Sequence, residues 1–206
     1  MKLKKLLALT LTGAVLTASL TACTPLDAAE LVYDWLFGGG SSSASRGNGT
    51  GLERSETLEN GIIDWFGLSG AKRQEDVAEP VLQEVAKSFD PDRWYNDKGE
   101  LNSTARDAID TIVQKKLTMN GSSKLAYVDV WEVQPRQTDF NPSTGRKLYY
   151  DLLTLDGDTP THNSYEMSYG VLKGWMDGKG TFDLYASVFQ KNGKTYAAMV
   201  IIWQRR

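Results

Sequence analysis

One cysteine, Cys23, and one histidine, His162, stand in a chain of 206 residues. A lone cysteine cannot close an intrachain disulfide, so a folded domain here must hold itself together by its core. Clusters of His and Cys at zinc-ligand spacing are missing. So are the glycine-rich loops that cradle phosphates and the Gly-x-Ser-x-Gly turn that presents a nucleophilic serine. Asp156-Gly157-Asp158 lacks the further ligands of a calcium loop and reads as a turn. These absences lead to an expectation of no cofactor and no metal. A basic excess is missing too: 23 Lys and Arg stand against 26 Asp and Glu. That balance argues against a nucleic-acid partner.

The N-terminus is more informative. Met1-Lys2-Leu3-Lys4-Lys5 is positively charged, and the stretch Leu6 to Leu20 carries no charge. Such a run suits the apolar part of a secretion signal and is short for a membrane span, which needs about 20 residues. It ends in Leu20-Thr21-Ala22-Cys23. This tetrapeptide resembles the lipobox of bacterial lipoproteins, and the resemblance covers residues 1–23 alone. It implies a signal peptide over 1–22 and acylation (palmitate among the chains) of Cys23. The implied location is the bacterial cell membrane or outer membrane, facing away from the cytoplasm. The lipid bilayer is then the first partner, reached through Cys23. Without Lys2, Lys4 and Lys5 the formal charge of −3 becomes −6, so the lipid rather than a basic patch must hold the protein to its membrane.

Residues 23–71 read as a lipidated N-terminus and a Gly/Ser-rich stalk. Gly38 to Ser45 and Gly47 to Gly51 have a composition that cannot bury a core. Two similar segments flank that stretch, Leu31-Val32-Tyr33-Asp34-Trp35-Leu36-Phe37 and Gly61-Ile62-Ile63-Asp64-Trp65-Phe66. Trp35 and Trp65 are candidate contacts to a partner or to the headgroup region, where Trp is favoured. The alternative is two short helices, one packing on the domain and one left loose.

Residues 72–206 read as one α+β domain. Val77, Val81, Leu82, Val85 and Phe89 recur at helical spacing, as do Ala105, Ile109, Ile112 and Val113 behind the capping cluster Asn102-Ser103-Thr104. The period then changes to two. Strands are expected over 124–133, 147–155, 181–190 and 194–204, with a third, short helix over 165–175. Asn192-Gly193 is a hairpin signal. It opposes Phe182 to Trp203, Leu184 to Ile201, Ala186 to Met199 and Val188 to Ala197. That apolar side is expected to be the core, covered by the helices. The element order suggests an antiparallel sheet of about four strands with two or three helices on one face, similar to the cone of NTF2-like or cystatin-like domains.

Three strands each place an Asp two residues from an aromatic: Tyr127, Asp129 and Trp131; Tyr149 and Asp151; Asp183 and Tyr185. These seven are the candidate ligand-binding residues. They form either a solvated outer face or a polar-aromatic groove for a sugar or peptide. Paired carboxylates also suit a glycoside hydrolase. His162 lies in a polar stretch and reads as an exposed loop residue, so no catalytic residue is assigned. The expected function is a non-catalytic binding or accessory module of the cell envelope, with an envelope protein or glycan as partner. An envelope hydrolase using paired Asp side chains is the alternative.

Overall fold

The computed structural model describes residues 52, 54–73, 77–117, 123–134, 139–156, 159–176 and 180–204. The fold is α+β, as the change of period predicts, but the sheet is larger than expected. Helix α1 (Glu56–Phe66) is followed by the two-residue strand β1 (Lys72–Arg73), helix α2 (Ala78–Ser88), the short α3 (Pro91–Trp94) and α4 (Ser103–Lys116). Then come β2 (Lys124–Glu132), β3 (Lys147–Asp156), β4 (Thr159–Ser168), α5 (Tyr169–Trp175), β5 (Thr181–Lys191) and β6 (Lys194–Gln204). The sheet has six strands in the order β1-β5-β6-β2-β3-β4. It is mixed, because β1 runs parallel to β5.

The expected sheet of about four antiparallel strands therefore omits two edge strands. β1 is too short to show a pattern. β4 reads Thr-Pro-Thr-His-Asn-Ser-Tyr-Glu-Met-Ser, an edge strand whose mostly exposed residues carry no apolar alternation. The helix expected over 165–175 starts only at Tyr169, where Ser168 accepts from the Val171 N–H. Helix α1 falls inside the segment 23–71 expected as stalk. Ser55 caps it, Gly67 closes it in the left-handed conformation, and Leu58, Ile62 and Phe66 are buried.

The hairpin pairs as its turn predicts. Asn192 (φ 52°) and Gly193 (φ 74°) supply the two positive φ angles of a primed turn. Phe182 then opposes Trp203, Leu184 opposes Ile201, and Val188 opposes Ala197. The expectation about the helices is reversed. Helices α2 and α4 pack on the other side, where Val81, Leu82, Ile109 and Val113 meet Val128, Val200, Ile202, Tyr185 and Tyr196. The side bearing Phe182, Leu184 and Ile201 is covered by α1 and α5, with Phe66 stacked on Tyr169 at 6.0 Å. Helices thus lie on both faces. Alternation tells which residues share a side, but both sides of this hairpin are apolar, so it cannot tell which side takes which helix.

Candidate functional site

The seven candidate residues do not form one face. The pairing of β2 with β6 puts Tyr127, Asp129 and Trp131 on the side of Ile201, Met199 and Ala197. Tyr149, Asp151, Asp183 and Tyr185 lie on the opposite side, as the β2–β3 and β5–β6 registers require. Nor is either side a solvated outer face, since all seven except the half-buried Trp131 are buried.

Three of them serve the packing of the helices and the chain before α1, and Asp151 pairs with the edge strand β4. Asp183 accepts from the backbone N–H groups of Val77 and Ala78, each at 2.7 Å, and so caps α2 from the strand beneath it. Tyr185 donates to the Leu52 carbonyl and Tyr149 to Asp110 of α4. Asp151 lies 2.6 Å from His162 Nδ1. His162 is therefore a half-buried strand residue with a carboxylate partner rather than an exposed loop residue. Burial pushes the Asp151 carboxyl up, His162 pulls it back, and Asp110 adds a like charge that pushes it up further.

The three aspartates do not pair with one another. Asp129 is on the far side of the sheet. Asp151 on β3 and Asp183 on β5 are three strand spacings apart, about 14 Å at roughly 4.8 Å per strand. The two carboxyl groups of glycosidases stand about 5–10 Å apart across one substrate.

Asp129 has a different surrounding. Its Oδ2 accepts from Arg146 Nε at 2.9 Å and from the Tyr169 hydroxyl at 2.9 Å. Its Oδ1 accepts from Arg146 Nη2 at 3.1 Å and from the Val130 N–H at 2.8 Å. Burial pushes the carboxyl up, but four donors on two oxygens fit only its ionised form. The same carboxylate holds the Arg146 guanidinium above its ordinary value. Arg146 also donates to the Gly99 and Val130 carbonyls. Gly99 takes a left-handed φ of 70° in the turn that offers this oxygen.

Arg146, held from beneath by Asp129, floors a cavity of about 490 Å³ where β2 ends and β3 begins. Trp131, Tyr95, Phe140 and Tyr169 give it aromatic walls, and Lys98, Glu132, Gln134, Asp139 and Asn141 give it a polar rim. The rings are braced from behind. Phe140 lies 5.7 Å from Trp131 and 6.0 Å from Trp65, and Trp65 meets Tyr169 edge-on at 5.7 Å. Gly61 of α1 faces Phe140 so closely that a Cβ there would come within 3.2 Å of the Phe140 Cβ.

Trp65, expected as a partner or membrane contact, is thus part of the domain's own packing, with Lys173 Nζ 4.4 Å above its ring. Cys23 and Trp35 lie outside the described residues. Tyr95, Phe140, Arg146 and Tyr169 were not visible as site residues in the sequence. Two signals pointed toward them: Asp129 inside an apolar strand needs a counter-charge, and Phe140 is an apolar residue in a polar loop. Among the described residues no group of His, Cys, Asp and Glu is arranged to hold a metal ion. No helix among them is long and apolar enough to cross a membrane. Comparison with family models, with curated proteins and with solved structures finds no match to this chain.

Proposed function

We propose that the chain is a lipid-anchored envelope lipoprotein whose domain is a non-catalytic binding module, with the cavity beside Trp131 as its binding site. The anchor rests on Leu20-Thr21-Ala22-Cys23 behind a charged start and an uncharged run. The binding site rests on one observation, the cavity of about 490 Å³ at the end of the sheet. Its size suits a small-molecule or single-residue ligand, and aromatic walls with a few polar groups are the usual make-up of such sites. The two carboxylates that line it, Glu132 and Asp139, stand at its rim, and Glu132 is held by Lys194 at 2.9 Å. Asp129, beneath Arg146, is fully engaged with Arg146, Tyr169 and a backbone N–H and has no oxygen left to act as base or nucleophile. These features support binding over hydrolysis.

Two variants of the full chain test the two halves. Cys23→Ser should stop incorporation of labelled palmitate and release the protein from membranes, and a Ser variant that still takes up label defeats the anchor. Trp131→Ala should remain folded and membrane-bound but lose its retention of envelope material. Tyr165→Ala is the control, since Tyr165 is 53 % exposed on β4, away from the cavity. Equal retention by Trp131→Ala and Tyr165→Ala defeats the binding site.

A further inference from the structure

We infer that the cavity takes a neutral sugar ring, one unit of a glycan chain, stacked on Trp131 and Tyr95. The inference rests on the cavity being a binding site and adds the class of ligand. Three features of the cavity select that class.

The first is charge. Arg146, the cation at the floor, is already held by Asp129 and two carbonyl oxygens. Glu132 at the rim is 2.9 Å from Lys194 Nζ. An ionic ligand would have to compete with these pairs, so neither Arg146 nor Glu132 is a waiting counter-charge. Lys98 and Asp139 add one charge of each sign, so the rim favours neither anion nor cation.

The second is shape and polarity. Trp131 and Tyr95 are both half-buried, so part of each ring is open. A pyranose has apolar C–H faces that lie flat on aromatic rings and an equator of hydroxyls. The exposed amides of Gln134 and Asn141 stand at the rim. Each amide is both donor and acceptor, which matches hydroxyl and acetamido groups.

The third is the sheet. A peptide that binds by strand addition needs a free sheet edge. Both strands that border the cavity, β2 and β3, are interior to the sheet. At the cavity β2 is laddered to β6 alone, its pairing with β3 ending at Val128, and on the other edge the Val130 N–H and carbonyl are taken by Asp129, Tyr95 and Arg146, so the site offers side chains and rings rather than a bare strand edge.

The test uses the full lipidated chain in a non-ionic detergent free of sugar, titrated calorimetrically. The probes are chitotetraose and cellotetraose, with the uncharged peptide acetyl-Ala-Gly-Ala-Gly-amide as comparison. At least one saccharide should bind saturably, and Trp131→Ala should weaken it by about tenfold or more. Asn141→Ala, exposed and outside the core, should weaken it several-fold without touching the fold. Affinity should change by less than about twofold between roughly 50 and 500 mM salt, because no net charge is matched. A steep salt dependence overturns the neutral class. Failure of both saccharides, or binding that both variants leave unchanged, overturns the inference. Peptide binding lost in Trp131→Ala, with no saccharide binding, overturns the sugar while leaving the binding module standing. If Trp131→Ala also retains envelope material as the wild type does, the binding site falls with it.

Discussion

Asp129 and Arg146, 17 positions apart in sequence, meet as a bidentate ion pair, Nε to Oδ2 at 2.9 Å and Nη2 to Oδ1 at 3.1 Å. Asp129 has no exposed side-chain surface and Arg146 about a fifth. A carboxylate in the middle of an apolar strand is costly to bury unless paired, and here the pairing also fixes the floor of the cavity.

Asp129→Asn should therefore cost stability, by about 3–5 kcal/mol, the range for breaking a buried pair from one side. The amide cannot accept on both atoms, so two of the four hydrogen bonds from Arg146, Tyr169 and Val130 lose their acceptor. Arg146→Lys should also be costly, because an ammonium cannot make the two parallel bonds of the fork. Urea denaturation measures both. A loss below about 1 kcal/mol for Asp129→Asn would show that the pair contributes no more than a surface contact.

How far the sequence reaches differs from element to element. The hairpin was legible because Asn192-Gly193 sets a register and the alternation on each arm agrees with it. Helices α2 and α4 were legible from period and caps. β4 was not, since an edge strand with mostly exposed residues has no apolar pattern to betray it. The candidate site was half legible. The alternation that put Tyr127, Asp129 and Trp131 on one side of β2 holds, but grouping them with Asp151, Asp183 and Tyr185 needed the relative register of β2, β3 and β5. Those strands are joined by long connections, and no local signal carries their offset. Arg146 and Phe140 come to the cavity through such a connection.

Leu184→Ala should cost roughly 2–5 kcal/mol, the usual loss for truncating a buried aliphatic whose site cannot collapse. Leu184 is 1 % exposed and opposes the fully buried Ile201. Val171→Ala on α5 is the comparison: Val171 is 48 % exposed, and such surface changes stay within about 0.5 kcal/mol. Similar losses for the two variants would remove Leu184 from the core.

Glu59 on α1 gives a pH dependence with an unusual sign. Its carboxyl is buried, accepts from Arg54 Nε at 2.9 Å and from the Ala186 N–H at 3.2 Å, and also meets Arg73. Burial nonetheless pushes it from 4.5 up to about 7, against the pull of Arg54. A carboxyl raised on folding binds its proton more tightly in the folded state. Its contribution to stability is therefore fully present below the unfolded value near 4.5 and is lost as pH rises toward 7. Denaturation midpoints between those values should fall with pH more steeply for the wild type than for Glu59→Gln, which cannot titrate. The comparison cancels the other acids. Parallel slopes would mean that the two arginines hold Glu59 near its ordinary value.

His162 and Asp151 should behave as a closed pair. Asp151 Oδ2 lies 2.6 Å from His162 Nδ1, and Oδ1 is buried without a hydrogen-bond partner among the described residues. His162 is thus the principal partner of a carboxylate with no exposed side-chain surface. His162→Ala strands that charge, close to Asp110 of like sign, and should cost about 3–5 kcal/mol. The same change made on Asp151→Asn should cost far less, under about 1 kcal/mol, because a neutral amide is cheaper to leave unpaired. A double-mutant cycle reads the difference as an interaction energy of about 2 kcal/mol or more, at the upper end of what residues in direct contact give in such cycles. The asymmetry is the informative part, since a merely packed histidine would cost the same in either background. Equal losses in the two backgrounds would mean that Asp151 is satisfied by water and that His162 contributes only its bulk to the edge of the sheet.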